Sequence, residues 1–244
     1  MFNVVCVRWG DKYDHTYVEK LKEQCEQNCS VPFNFYCITD NPIQSYDVPL
    51  PTTWDSYYHA DRGFFWAYRK FYMFNEHLFS NINGDEFLFL DLDILIHKSI
   101  DPLFELDMTK PWIVRGWWND IDNCKKNFGK LKSTPINSSI IRWNRGQLLP
   151  VYNQINRNSN FVFFTYKTID NYVNHCWYDM YDDEMAFFNV FEPGIAYSWY
   201  KGNIYPNDME KNILRKDHMI CLFNNSAQGV DEHMHEIEEL NGLY

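Results

Sequence analysis

Asp91 and Asp93 are the residues of this sequence best placed to do chemistry. They interrupt FLFLDLDILI, residues 87–96, a run that is apolar on both sides of the pair. Such a run is expected to form a central strand buried on both faces. Residues i and i+2 of a strand point to one face, roughly 6.6 Å apart along the chain. Two carboxylates held together in apolar surroundings are costly unless a positive charge joins them. A divalent ion meets that need, and manganese or magnesium suits carboxylates combined with phosphates. The alternative is a pair of solvated acids at a strand end. The apolar flanks favour the metal, because ligands bind at the carboxyl ends of strands in open α/β sheets.

The elements that would position this pair can be read along the chain. Phe2–Val7 is a short apolar run ending at Arg8-Trp9-Gly10, which suits a buried strand followed by a loop. Val18, Leu21 and Cys25 recur at helical spacing. Phe33–Ile38 is a second strand, stopped by Thr39-Asp40-Asn41-Pro42. A β-α-β opening implies a parallel pair joined by a right-handed crossover. Helical spacing returns in Phe64, Tyr68, Phe71 and Leu78, with Lys70 off that stripe. Residues 99–104 read as a turn into a short helix, with Asp101 able to cap it and Pro102 in its first position. Further on, Trp112–Val114 and Ser138–Trp143 read as strands, and residues 145–157 and 183–191 as helices. Residues 161–178 show no firm period. Asp231–Leu240 reads as an acidic surface helix. The expected fold class is α/β, in one domain over 1–244.

Bulk composition narrows the partners. A chain of 244 residues suffices for one well-buried domain. A net charge of −11 argues against nucleic acid, whose phosphates need Lys and Arg. No apolar run reaches the ~18 residues of a membrane span, and MFNVVCVRWG reads as a strand, not a signal peptide. A soluble, cytoplasmic protein is therefore expected. The 7 cysteines form no CxxC pair, which suits reduced, structural thiols. The 9 Trp, 17 Tyr and 19 Phe are mostly core, with some free to stack on sugars or bases. Trp117-Trp118 is either buried packing or a sugar platform.

Taken together, these segments resemble the GT-A glycosyltransferases, in particular the retaining, glycogenin-like branch of galactosyl- and glucosyltransferases and related bacterial and viral enzymes. The resemblance rests on Arg8-Trp9 and Tyr13 after the first strand, WAYRKFYMF with Lys70, and FLFLDLDILIHKSIDPLF. It continues through PINSSIIRW and YDDEMAFFNVF to ICLFNNS. It implies a transferase that uses a UDP-hexose, UDP-glucose or UDP-galactose, with Mn2+ or Mg2+ and a glycan or other small acceptor. It also implies a twisted, mainly parallel central sheet with helices on both faces, a Rossmann-like nucleotide-binding half over residues 1–105, a half over 106–244 that serves the donor sugar and the acceptor, and roles for single residues. Val7, Arg8, Trp9 and Tyr13 would hold base and ribose, with Trp9 or Tyr13 stacking on uracil. Tyr13 as a packing residue is an equal reading. Asp40 would reach the base or serve its turn. Lys70 would meet the donor phosphates, with Arg69 the competing candidate. Asn137, Ser138 and Ser139 would touch sugar hydroxyls. Asp183 and Glu184 would flank the reactive sugar carbon, with Glu in place of the family's Gln. Asp91, Leu92 and Asp93 would line the diphosphate and metal, and Lys201-Gly202 and Asn203 would close over the diphosphate. The family's third metal ligand is a His in Phe-His-Gly. Here Phe223-Asn224-Asn225 stands instead, so Asn224, His218 or a water would fill that position.

Two rival functions remain at this level. A nucleotidyltransferase also joins an α/β sheet to acidic metal ligands, but it would show a Gly-rich phosphate loop early in the chain. A sugar- or nucleotide-binding module without turnover is the other, kept open by the missing His.

Overall fold

The computed structural model describes residues 1–57, 65–127, 134–166, 168–179, 181–182, 185–201 and 213–224. The β-α-β opening is as expected. Strand β1 (Phe2–Arg8) leads to helix α1 (His15–Asn28) and back to β2 (Phe33–Thr39), which pairs with β1 in parallel. Asp14 caps α1 by accepting from the Thr16 N–H, and Val18, Leu21 and Cys25 are the buried stripe. Further strands are β3 (Asp47–Pro49), β4 (Glu86–Leu90), β5 (Ile94–Ile96), β6 (Trp112–Arg115), β7 (Ile136–Asn144), β8 (Asn189–Val190), β9 (Ala196–Ser198) and β10 (Ile220–Leu222). Helices α2 (Ile121–Lys126), α3 (Leu149–Arg157), α4 (Ser159–Thr165) and α5 (Ile169–Cys176) follow, and 3₁₀ segments lie earlier in the chain, the longest of those described being Phe65–Phe74.

The main sheet has seven strands in the order β3-β2-β1-β4-β7-β6-β8, and a smaller sheet has the order β5-β10-β9. Pairing in the main sheet is mostly parallel. Strand β7 is the exception, running antiparallel to both β4 and β6. The sheet is continuous across residue 105, since β4 pairs with β7. Side chains alternate across it, as a pleated strand requires. Val5, Val7, Phe87 and Phe89 enter one core layer with Phe71, Tyr72, Ile155 and Val173. Val4, Cys6, Leu88 and Leu90 enter the other with Val18 and Leu21 of α1. Helices thus cover both faces.

Four expectations need correction. The run 87–96 is two strands, not one. Strand β4 ends at Leu90, and the chain turns at Asp91–Asp93 before β5 joins the second sheet. The two acids therefore lie on a switch between sheets, not on one face of a strand. Residues 185–191 are a turn and the short β8, not a helix, because Phe187 and Asn189 bond back to Trp177 and Pro111. The unassigned stretch 161–178 holds most of α4 and all of α5. Asp101 does not cap its helix. Its carboxylate accepts instead from the Ser30 N–H at 2.8 Å and hydroxyl at 2.7 Å, tying that turn to the end of α1. Asp183, Glu184, Gly202, Asn203 and Asp231–Leu240 lie outside the described residues.

Candidate active site

Strands β1, β2 and β4 are parallel, so their carboxyl ends share one edge of the sheet. Loops beyond these ends supply most of the site. Asp91 is the first residue past β4. Its N–H donates to the Ser139 carbonyl at 2.9 Å, which fixes it against β7. Its carboxylate accepts from Lys70 Nζ at 2.6 Å. Burial and the Asp93 charge push the Asp91 carboxyl up to about 6, while Lys70 and the Ser139 hydroxyl pull the other way. Lys70 projects from the 3₁₀ segment Phe65–Phe74. Burial lowers its affinity for a proton, but Asp91, Asp170 and Asp93 together raise it above the usual lysine value. It is therefore a fully charged ammonium held among carboxylates.

Asp93 accepts from Tyr13 Oη at 3.1 Å. Burial and the Asp93 and Asp91 charges push the Tyr13 phenol far above its usual range, so it stays a neutral donor. The loop carrying Tyr13 is fastened by Arg8, whose Nε donates to the Tyr13 carbonyl at 3.0 Å. Val7 is buried, and Trp9 packs half-buried against the core. Asp40 accepts from the Gly10 N–H of the loop after β1 at 3.0 Å and from Arg69 at 3.2 Å. Arg69 also reaches Asp55 at 3.6 Å. It is Lys70, not its neighbour, that faces the acidic pair.

The smaller sheet closes the other side. Strand β10 runs antiparallel to β5, and the Phe223 N–H donates to the Asp93 carbonyl at 3.2 Å. Asn224 follows immediately, at φ +32°, and is the one non-glycine residue with positive φ among the described residues. Its Oδ1 accepts from Asn137 Nδ2 at 3.3 Å. His218 lies at the opposite end of β10, beside His97 and Tyr197, because His97 N–H pairs with Met219 where Asp93 pairs with Phe223. Six residues of extended chain separate His218 from Asn224, about 20 Å. Of the protein groups considered as third ligand, Asn224 is adjacent to Asp93 and His218 is not. Lys201 follows β9 and donates to Asn119 Oδ1 at 3.1 Å. Leu92 is buried in the second core layer.

Asp170 had no sequence signal. Strand β6 advances one residue, Ile113 to Val114, while β7 advances four, Ile141 to Asn137. This irregularity leaves Ser138 and Ser139 unpaired with β6, and Ser139 meets Asp91, a use of bulges common beside active sites. The Ser138 N–H is taken by Asp170 Oδ1 at 2.8 Å. Asp170 sits in the first turn of α5, where a negative charge is favoured. A tract of alternating aromatic and polar residues gave no period from which to place it.

Asp91, Asp93 and the Asn224 amide are hard oxygen donors, a set suited to manganese or magnesium. Among the described residues there is no group of three or more His, Cys, Asp or Glu that could hold a metal. An ion here would thus complete its shell with the amide and with ligand oxygens, as magnesium sites commonly do.

Neither a family profile nor a curated protein sequence matches the chain. Solved structures do. The galactosyltransferase LgtC, in complex with donor and acceptor sugar analogues, matches over 98% of this chain and 95% of its own, with TM-score 0.62 and 12% identity. A glycosyltransferase involved in glycosylating the major capsid of PBCV-1 matches over 96% and 98%, with TM-score 0.55 and 16% identity. The chain has the GT-A glycosyltransferase fold. Mouse xyloside xylosyltransferase 1 shares it, at TM-score 0.53 and 11% identity over 93% and 98%. In this GT-A fold the carboxyl edge just described contains Asp91, Asp93, Lys70, Tyr13, Asn137 and Ser138 together. Among the described residues no helix is long and apolar enough to cross a membrane. All seven cysteines are free thiols.

Proposed function

We propose that this chain is a metal-dependent, retaining glycosyltransferase that moves a hexose from UDP-glucose or UDP-galactose to a glycan or other small acceptor. The observation that supports this best is the pairing of Lys70 with Asp91 and of Tyr13 with Asp93 at the carboxyl edge of the GT-A sheet. An ammonium and two carboxylates held there form a receptor for a metal–diphosphate, which needs both signs of charge.

In this reading Asp91, Asp93 and Asn224 hold Mn2+ or Mg2+. A bound divalent ion supplies positive charge against the negative charge that develops on the leaving nucleotide. Lys70 adds a fixed cation at the same place, the kind of preorganised stabilisation that catalysis uses most. Val7, Arg8, Trp9 and Tyr13 hold base and ribose, and Asp40 holds the loop that carries Gly10. Asn137 and Ser138 meet sugar hydroxyls. Lys201 and Gly202 close over the diphosphate, and Asp183 and Glu184 flank the sugar's reactive carbon. In the transfer, the bond from that carbon to the diphosphate oxygen breaks and a bond to the acceptor oxygen forms. The acceptor's hydroxyl proton goes to the departing UDP. Seven free thiols suit a cytoplasmic enzyme.

The test is UDP release from UDP-glucose and UDP-galactose with manganese. Release that needs the metal, and falls on the order of 10²-fold or more in Asp93→Ala, is expected. Tight donor binding without hydrolysis or transfer would overturn the reading in favour of a binding module. Pyrophosphate formed from a nucleoside triphosphate would point to a nucleotidyltransferase.

A further inference from the structure

Two adjacent residues of β7 hold the carboxylates that act on Lys70. The Ser138 N–H donates to Asp170 Oδ1 at 2.8 Å, and the Ser139 carbonyl accepts from the Asp91 N–H at 2.9 Å. Helix α5, which carries Asp170, packs against both β7 and the 3₁₀ segment that carries Lys70. The Tyr172 ring of α5 meets the ring of Phe71, the neighbour of Lys70, at 5.3 Å. Asp170 is thus fixed relative to Lys70 by packing as well as by its own hydrogen bond. Among the described residues it makes no other hydrogen bond or ion pair.

Lys70 Nζ donates to Asp91 Oδ2 at 2.6 Å. The two side chains are only 14% and 15% exposed, so charges around them are weakly screened. Those charges do not balance. Asp91, Asp93 and Asp170 act on one ammonium. The other cations of this edge are engaged elsewhere. Arg8 holds the Tyr13 carbonyl, Arg69 holds Asp40 and Asp55, and Lys201 holds Asn119. Exposed Lys12 lies 4.5 Å over the Tyr13 ring. Three carboxylates against one ammonium leave an excess of two negative charges, which is the charge of one divalent ion.

A diphosphate arriving without metal would meet more negative than positive charge, and like charges in a poorly solvated place repel strongly. The cation best placed to receive it is already shared between acids. We propose that Asp170 is a positioning residue of the donor site: it shares the Lys70 ammonium with Asp91, and so withholds it from a diphosphate until a divalent ion engages Asp91. Lys70 is then held by Asp170 alone and can turn its remaining donors to the phosphates. This role for Asp170 rests on the donor site proposed above, and it sets the order in which that site takes metal and nucleotide.

UDP is the probe, because it carries the diphosphate and no sugar, so a direct contact between Asp170 and a sugar cannot contribute. Calorimetry of the full chain at pH 8 compares UDP binding in EDTA and in manganese. The unaltered chain is expected to bind UDP on the order of 10²-fold tighter with manganese. Asp170→Asn keeps an acceptor for the Ser138 N–H and removes the charge. It should tighten metal-free UDP binding about ten-fold and leave UDP affinity in manganese little changed. Lys70→Gln added to Asp170→Asn should cancel that gain, because the ammonium is what the first substitution releases. An unchanged metal-free affinity in an Asp170→Asn chain that still melts cooperatively overturns the role. So does a gain that persists when Lys70→Gln is added, or equal affinity of the unaltered chain for UDP with and without manganese. Failure of the unaltered chain to bind UDP even with manganese would overturn the donor site itself, and this role with it.

Discussion

The Ser138 N–H has left the β7 ladder, and a buried N–H must find another acceptor. Asp170 is that acceptor. Its carboxylate also faces Lys70, so it does two separable things. Asp170→Asn keeps an oxygen for Ser138, whereas Asp170→Ala removes it and leaves the donor unsatisfied. Urea denaturation should therefore show Asp170→Ala destabilised by about 2 kcal/mol, and Asp170→Asn by less than ~1 kcal/mol. Equal losses in the two variants would mean that the charge, not the hydrogen bond, is what the fold uses. Residues of this kind divide by how their signal is carried. Asp91 and Asp93 stood out because each breaks a local apolar pattern, Lys70 through the family resemblance, and the fold brings all three together. Asn224 stood out only against the Phe-His-Gly segment of the resembled family. Asp170 broke no pattern, since its neighbours are polar and aromatic by turns. Its meaning depends on an irregularity in a strand about 30 residues away in sequence.

Among the elements, β7 is the one on which both neighbours depend. At its middle lies Arg142, fully buried in a stretch that otherwise reads as apolar strand. Its guanidinium donates to the carbonyls of Leu103 at 3.2 Å, Phe87 at 3.3 Å and Trp143 at 2.8 Å, and it is paired with Glu86. The rings of Phe2 and Phe104 pack over it at 5.6 and 6.0 Å. Arg142→Met keeps the bulk but strands Glu86 and several carbonyls. The carbonyls left without a donor cost roughly 1–3 kcal/mol each, and the partly exposed Glu86 adds little, for about 3–5 kcal/mol in all. The melting temperature should fall on the order of 10 °C, at about 2–4 °C per kcal/mol for a chain of this size. A fall of only about 2 °C would show that the network is solvated in solution. The strands around it were legible because β1, β2 and β4 are continuous apolar runs. The break at Asp91 was not. A strand that changes sheets keeps its apolar pattern, so FLFL and ILI read as one element although they pair with different partners. The reversed direction of β7 was equally hidden, because an apolar strand carries the same pattern either way.

At the scale of the whole molecule, a main sheet in the order β3-β2-β1-β4-β7-β6-β8 carries the donor edge, and the β5-β10-β9 sheet closes it through Asn224. Identities of 11–16% to solved structures of this fold mean that pattern and order survive where residues do not. The smaller sheet is held at its far end by His97. The Tyr197 hydroxyl accepts from the Arg215 N–H at 2.8 Å and lies 2.9 Å from His97 Nε2. Burial, with Lys216, His218 and Lys98 nearby and only Asp217 opposing, pushes the His97 imidazole down to about 4. An unfolded His protonates near 6.5. A depressed folded value means that the contribution is fully present above 6.5 and is lost as pH falls through about 4. The full linkage would be about 3 kcal/mol, and solvent access to the half-buried ring reduces it to about 1–2 kcal/mol. Urea midpoints of the unaltered chain should therefore decline between pH 6.5 and 4. His97→Gln, which can still hydrogen-bond to Tyr197 but cannot titrate, should show a shallower decline over that window. Parallel slopes for the two chains would place the acid sensitivity elsewhere. Because β5 begins one residue after Asp93 and ends one residue before His97, loosening the far end by acid should also weaken binding of UDP with manganese. That weakening should be smaller in His97→Gln than in the unaltered chain at pH 5, measured by calorimetry.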